Sequence, residues 1–250
     1  METDKKIIMT DKKIDSINVT DEMAKSIAVK SAELVALLKS VSHEFHDIQF
    51  ASSFGAEDMV IHHAIHASNL GIEIFTLDTG RLPEETHQLI DATQKLYRQT
   101  IVPFYPDTKT IELYVKENGM DAFYDSLEMR KECCHIRKVE PLKRALKGKG
   151  AWITGMRSEQ SATRQALSIR EFDEGNLMEK INPLAAWKEV DVWAYIKLNQ
   201  VPYNALHDKF YPSIGCAPCT RAVSAGEDIR AGRWWWENPE NKECGLHIKG

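Results

Sequence analysis

The first nineteen positions are polar and show no hydrophobic period, which predicts a flexible N-terminal arm over residues 1–19. Period begins at Thr20. That residue, followed by Asp21 and Glu22, marks a helix start, and apolar positions then recur at helical spacing to about Phe45. Ile48–Ala51 is a short apolar run suited to a buried strand. Ser52-Ser53-Phe54-Gly55-Ala56 follows it, then a helical pattern from Glu57 to about Asn69, stopped by Gly71. The alternation repeats. Ile72–Leu77 predicts a second strand, Pro83 opens a helix to about Tyr97, Ile101–Phe104 predicts a third strand, and residues 108–118 another helix. A helix from near Met129, bent at Pro141, leads to a fourth strand at Ala151–Thr154. Arg170–Asp173 and Leu177–Ile181 flank Glu174-Gly175-Asn176 as a hairpin. A last helix covers Lys188–Leu198, and turn residues dominate from Pro202 onward.

Strands alternating with helices predict an α/β fold, a mostly parallel twisted sheet with helices on both faces. The domain reading is a nucleotide-binding α/β domain over 20–201 and a loop-rich, cysteine-bearing segment over 202–250. In such sheets ligands lie beyond the carboxyl ends of strands. That places Ser52–Gly55, Asp78-Thr79-Gly80-Arg81 and Thr154-Gly155 around one crevice. Small residues between a strand and a helix let backbone N–H groups approach an anion, although an ordinary turn has the same composition.

Chemistry concentrates in the cysteines. Of five in the chain, Cys133 and Cys134 are adjacent, Cys216 and Cys219 form a C-x-x-C, and Cys244 stands apart near His247. The first four suffice for one Cys₄ metal site. Adjacent cysteines fit zinc poorly, because zinc ligand pairs are usually spaced by two to four residues. They suit an iron–sulfur cube, where each thiolate reaches a different iron. Cys244 is either an unused thiol or a nucleophile whose pKa a nearby histidine or arginines lower.

Other residues fill in the picture. Arg137, Lys138, Arg157, Arg164, Arg230 and Arg233 lie in loops or near the cysteine segments, and several converging on one pocket would suit a polyanion. His62 and His66 have zinc spacing but no acidic third ligand, so helix packing is the expectation. His135 is read as a neighbour of the cysteines, not a ligand. Trp234, Trp235 and Trp236 are expected to pack around the cysteine segment. The net charge of −5 argues against a nucleic-acid binder with a broadly basic surface. No apolar run is long enough to span a bilayer, and the N-terminus lacks a secretory core. Five cysteines without such a signal predict a reducing, cytoplasmic setting.

These motifs occur together in one order: SSFGAED, LDTGRLPEET, KECCHIRKVEPL, ITGMRSEQSATR, GCAPCTR, GRWWWE and ECGLH. In this the chain resembles the assimilatory adenylylsulfate (APS) reductases of the wider phosphoadenylylsulfate (PAPS) reductase family, over about Phe50 to His247. The resemblance implies an adenine-nucleotide alpha-hydrolase-like fold related to PP-loop ATP pyrophosphatases. It implies a [4Fe–4S] cluster on Cys133, Cys134, Cys216 and Cys219, and APS as substrate, since the PAPS-preferring, cluster-free branch lacks both cysteine pairs. It implies nucleotide contacts from Ser52, Ser53, Phe54, Gly55, Leu77, Thr79 and Gly155. Lys138, Arg164, Arg230, Arg233 and His247 match residues gathered round the phosphosulfate, and Cys244 matches the catalytic cysteine. The chain ends at Gly250 without a fused thioredoxin-like domain, which is similar to the bacterial type that uses free thioredoxin. The implied reaction turns APS into sulfite and AMP in assimilatory sulfate reduction. A PP-loop tRNA-thiolating enzyme would show an SGGxDS-like loop, and a metal-binding regulator would leave the ECGLH motif without a use. The number of chains in the assembly, a homo-oligomer included, stays open.

Overall fold

The structure is a computed structural model and describes residues 12–160 and 167–238. Helix α1 runs from Asp21 to Glu44, with the Thr20 hydroxyl accepting from the Met23 N–H at its start. Then follow β1 (Gln49–Ala51), α2 (Ala56–Ala67), β2 (Glu73–Leu77), α3 (Glu84–Tyr97), β3 (Ile101–Phe104) and α4 (Thr108–Asn118). α5 (Leu127–Cys134) passes through a wider π turn, His135–Val139, into α6 (Glu140–Leu146). β4 (Ala151–Ile153), the hairpin of β5 (Arg170–Asp173) and β6 (Met178–Ile181), and α7 (Glu189–Asn199) complete the strands and α-helices among the described residues.

The six strands lie in the order β3-β2-β1-β4-β6-β5. All neighbours are parallel except the edge pair β5–β6. The period-two pattern of each strand divides its side chains between two faces. Phe50, Ile74, Ile101, Ile153 and Ile181 face a core shared with α1, α2 and α7. Phe75, Trp152 and Met178 face the opposite side, where Leu142, Ala145 and Leu146 of α6 cover them. The mostly parallel sheet with helices on both faces is therefore present. β1 and β4 are neighbours whose chains leave toward opposite sides of the sheet. Their carboxyl ends mark the point where strand order reverses, the place where ligands bind in such folds.

Two expectations need correction. The helix carrying the cysteine pair was expected to bend at Pro141, but the irregularity lies upstream, in His135–Val139. Proline has no N–H to give the carbonyl four residues earlier and its ring crowds that carbonyl, so the preceding turn opens. The arm expected over 1–19 is seated from Lys12 onward: Ile14, Ile17 and Val19 pack on the main core, the Lys13 N–H donates to Asp208 (2.7 Å), and the Lys197 ammonium donates to the Ile17 carbonyl (2.7 Å). Three apolar side chains outweigh the polar average of that stretch. His62 and His66 serve packing, as expected: His62 is fully buried against Phe50 and Phe54, and His66 stacks on Tyr97.

Leu38 on α1 is fully buried, whereas Val29 on the same helix is exposed. Leu38→Ala should lower the unfolding free energy by about 3 kcal/mol, and Val29→Ala by less than about 0.5 kcal/mol. Urea denaturation of the two variants measures this. Equal midpoints would show that α1 does not seat its apolar stripe on the sheet.

Candidate active site

The loops after β1, β2 and β4 open on one cleft of about 880 Å³, the size range of small-molecule sites. Its floor begins with the turn after β1. The Ser52 N–H continues the sheet to the Phe75 carbonyl (2.9 Å). The Ser52 hydroxyl accepts from the Phe54 N–H (3.2 Å) and meets His62 Nε2 at 2.9 Å. Burial pushes His62 down to about 4, so the ring is neutral. Phe54 takes a left-handed conformation, φ 60°, and buries its ring beside His62. Of the four loop residues predicted to meet the nucleotide, Ser52, Ser53 and Gly55 line the cleft; Phe54 serves as an anchor from the core side.

Asp58 was missed by the sequence reading. Its carboxylate accepts from the Ser53 N–H (2.6 Å) and hydroxyl (2.7 Å), which closes the loop onto the first turn of α2. Burial pushes its pKa up to about 7, against the lowering effect of both Ser53 bonds. An acidic residue in the first helical turn, five positions after a strand-end serine, was the available signal. Gly155 meets it from β4: a Cβ there would stand 2.0 Å from the Asp58 carboxyl oxygen, so no larger residue fits.

Leu77 and Thr79 line the cleft from β2. The turn after Thr79 is held by the Gly80 N–H to Asp78 (2.9 Å) and the Arg81 N–H to the Thr79 hydroxyl (3.2 Å). Gly80 has φ 69° there, which suits glycine. Two long-range contacts meet on Thr79. Arg137 donates to its carbonyl (2.6 Å), and the Cys216 thiol donates to its hydroxyl (3.3 Å). The Ala217 N–H adds a bond to the Arg81 carbonyl (2.8 Å).

Cys133, Cys134, Cys216 and Cys219 are all buried and together line a small void next to the cleft, with Arg81, Arg130, Arg137 and Lys138. Among the described residues, no three or more His, Cys, Asp or Glu side chains are set round a single metal ion. Burial pushes Cys219 up to about 12, with Cys216 and Cys134 adding to it. Cys216 moves the other way: burial raises it, but Lys138, the Thr79 hydroxyl, Arg233 and Arg137 outweigh that. Four packed thiols cannot ionise together unless positive charge enters between them. Two buried donors nearby, Arg137 Nε and the Trp234 indole N–H, have no hydrogen-bond partner among the described residues. The donor set thus fits a metal group with exposed anionic sulfur. His135 is exposed, as expected of a neighbour.

The cations separate. Lys138, Arg230 and Arg233 line the cleft, and Lys138 lines the cysteine void as well. Arg157 also reaches the cleft, but is held by Glu57 (2.8 Å) and Glu159 (2.9 Å). Arg233 passes over Gly215, where a Cβ would stand 2.3 Å from its guanidinium. Lys12, Lys13 and His207 line the cleft too, and the sequence reading had assigned none of them to a site. Trp234 is buried with the four cysteines and Trp236 packs against that cluster, whereas Trp235 is exposed, so two of the three tryptophans pack around the cysteine segment. Arg164, Cys244 and His247 lie outside the described residues.

Gly155→Ala should break the contact between β4 and Asp58 and weaken AMP binding at least tenfold, with the far-ultraviolet spectrum unchanged. Isothermal titration with AMP measures it; unaltered affinity would place the nucleotide elsewhere.

A sequence model of the phosphoadenosine phosphosulfate reductase domain matches residues 47–222. A protein of Allochromatium vinosum named adenosine 5'-phosphosulfate reductase is 55% identical over 222 residues, covering 89% of this chain and 87% of its own length. One of Burkholderia cepacia with the same name is 54% identical, covering 89% of each. Among solved structures, phosphoadenylyl-sulfate reductase from Candida auris, in a phosphate complex, superposes with a TM-score of 0.66 at 29% identity, over 83% of this chain and all of that one. Yeast FAD synthetase, with a TM-score of 0.55 at 15% identity over 83% of this chain and 70% of its own, shares the fold alone. Sequence, sheet order and site geometry agree, and the chain belongs to the phosphoadenosine phosphosulfate reductase family, beside relatives named adenosine 5'-phosphosulfate reductase.

Proposed function

We propose that the protein reduces adenosine 5'-phosphosulfate to sulfite and AMP with electrons from thioredoxin, as a cytoplasmic step of sulfate assimilation. One observation carries the reading: Lys138 borders both the nucleotide-sized cleft and the four-cysteine void, so one ammonium serves both. The names of the relatives at 54–55% identity support APS over PAPS.

In this reading the loop of Ser52, Ser53 and Gly55, with Leu77, Thr79 and Gly155, holds the adenosine. Lys138, Arg230 and Arg233 meet the phosphosulfate, joined by Arg164 and His247. Cys133, Cys134, Cys216 and Cys219 hold a [4Fe–4S] cluster, which when bound supplies a fixed charge and cross-links α5 to the C-x-x-C segment. The Cys244 thiolate attacks the substrate sulfur. The bond from sulfur to the bridging phosphate oxygen breaks, and AMP leaves with that electron pair, its charge held by the cations. Cys244 then carries an S-sulfonate. A thioredoxin thiolate attacks the Cys244 sulfur, sulfite leaves with the electron pair, and the second thioredoxin thiol frees Cys244 while thioredoxin becomes a disulfide.

Protein purified without oxygen should be brown and hold about four irons per chain, as one Cys₄-held cube requires. Serine at Cys133, Cys134, Cys216 or Cys219 should remove both colour and turnover. Stoichiometric zinc with no iron would contradict the assignment.

Cys244→Ser should keep iron, colour and APS binding yet lose turnover. Wild-type protein given APS without thioredoxin should gain one sulfonate, and a peptide map should place it on Cys244. Sulfite release by the serine variant at a wild-type rate, or added mass on another residue, would overturn the mechanism.

A further inference from the structure

The motif GRWWWE ends in a residue that the reaction above does not use. The Glu237 side chain is buried, and its carboxylate receives both arms of the Arg130 guanidinium, Nε to Oε1 at 2.8 Å and Nη2 to Oε2 at 2.7 Å. Arg130 itself is almost wholly enclosed, three positions before Cys133 on α5. It also hydrogen-bonds Cys134 and lies over the Trp234 ring, 4.8 Å from its centre. Arg233 approaches the same ring at 4.6 Å. The Trp234 backbone N–H donates to the Cys219 carbonyl (3.2 Å), and the Glu237 backbone N–H to the Trp234 carbonyl (2.9 Å). One guanidinium therefore touches the adjacent cysteine pair, the ring of a tryptophan whose backbone is bonded to the C-x-x-C segment, and the chain just before its last thirteen residues.

An enclosed ion pair is a poor source of stability, because desolvating two charges offsets most of their attraction. Two apolar side chains would fill the space as well. The forked pair adds direction, since both bonds form in one orientation of the carboxylate. Cys244 follows Glu237 by seven residues, so at most about 25 Å of extended chain joins them. Fixing position 237 against the cysteine pair sets the origin from which the nucleophile must reach the sulfur, and small errors in that reach are costly.

We infer that Arg130 and Glu237 are a positioning pair: they fix the start of the Cys244-bearing segment relative to the cysteine site and so set the rate of sulfur transfer. This rests on the reaction proposed above. The test is single-turnover sulfonation of Cys244, APS in excess and thioredoxin absent, followed by mass spectrometry with iron content and AMP affinity in parallel. Glu237→Gln keeps the shape and removes the charge. It should slow sulfonation about tenfold, with iron and AMP affinity unchanged within twofold. Arg130→Lys, which keeps the charge but not the fork, should fall between. Wild-type rates in Glu237→Gln with only a lower melting temperature would overturn the inference. If that variant loses iron, Glu237→Asp takes its place, and iron loss in both would make the pair a fold element and overturn it equally. Failure of the wild-type protein to sulfonate at Cys244 would sink the reaction scheme itself, a separate outcome.

Discussion

At the carboxyl end of β2, Thr79 carries two bonds on which the rest of the site depends. Its carbonyl accepts from Arg137 and its hydroxyl from the Cys216 thiol. The first bond ties the turn after the second strand to the segment that follows the adjacent cysteines. The second ties it to the C-x-x-C. A residue of the nucleotide cleft is thereby a hinge point for both cysteine segments, and neither can move without disturbing the cleft wall. The opened π turn makes this geometry available. Without the extra residue in that turn, Arg137 and Lys138 would project about 100° away from where they now meet Thr79 and the cleft.

The same arrangement explains why cations with similar sequence surroundings have different duties. Arg137 is enclosed and committed to a backbone carbonyl. Arg157 is neutralised by two carboxylates, so it braces α2 against the β4 loop. Lys138, Arg230 and Arg233 border the cleft, and Arg233 also reaches the Ser213 hydroxyl and the Ile214 carbonyl. A guanidinium keeps its charge in any of these settings, and its neighbours decide which elements that charge braces.

The alternation of strands and helices was readable because apolar runs and turn residues coincide, and the residues expected in the cleft loops fall where strand ends meet. The direction of the Phe54 ring was not legible, because membership of a loop says nothing about which way a side chain turns; a left-handed backbone sends it inward. Asp58 was passed over because an acidic first turn is ordinary in helices, and only its burial under Gly155 sets it apart. Lys12 and Lys13 were invisible because their segment is seated by three spaced apolar residues, too few to make a period. The Arg130–Glu237 pair joins positions far apart in the chain, and no local pattern predicts such a pair.

On the proposed function, this cleft and these cysteines together reduce the phosphosulfate anhydride of adenosine at the expense of a dithiol. Sulfite release from APS and from PAPS, run in parallel with and without reduced thioredoxin, tests it most directly. The account predicts catalytic sulfite from APS only when thioredoxin is present, and much less from PAPS. Sulfite from PAPS in preference to APS, or none from either with the iron fully loaded, would contradict it.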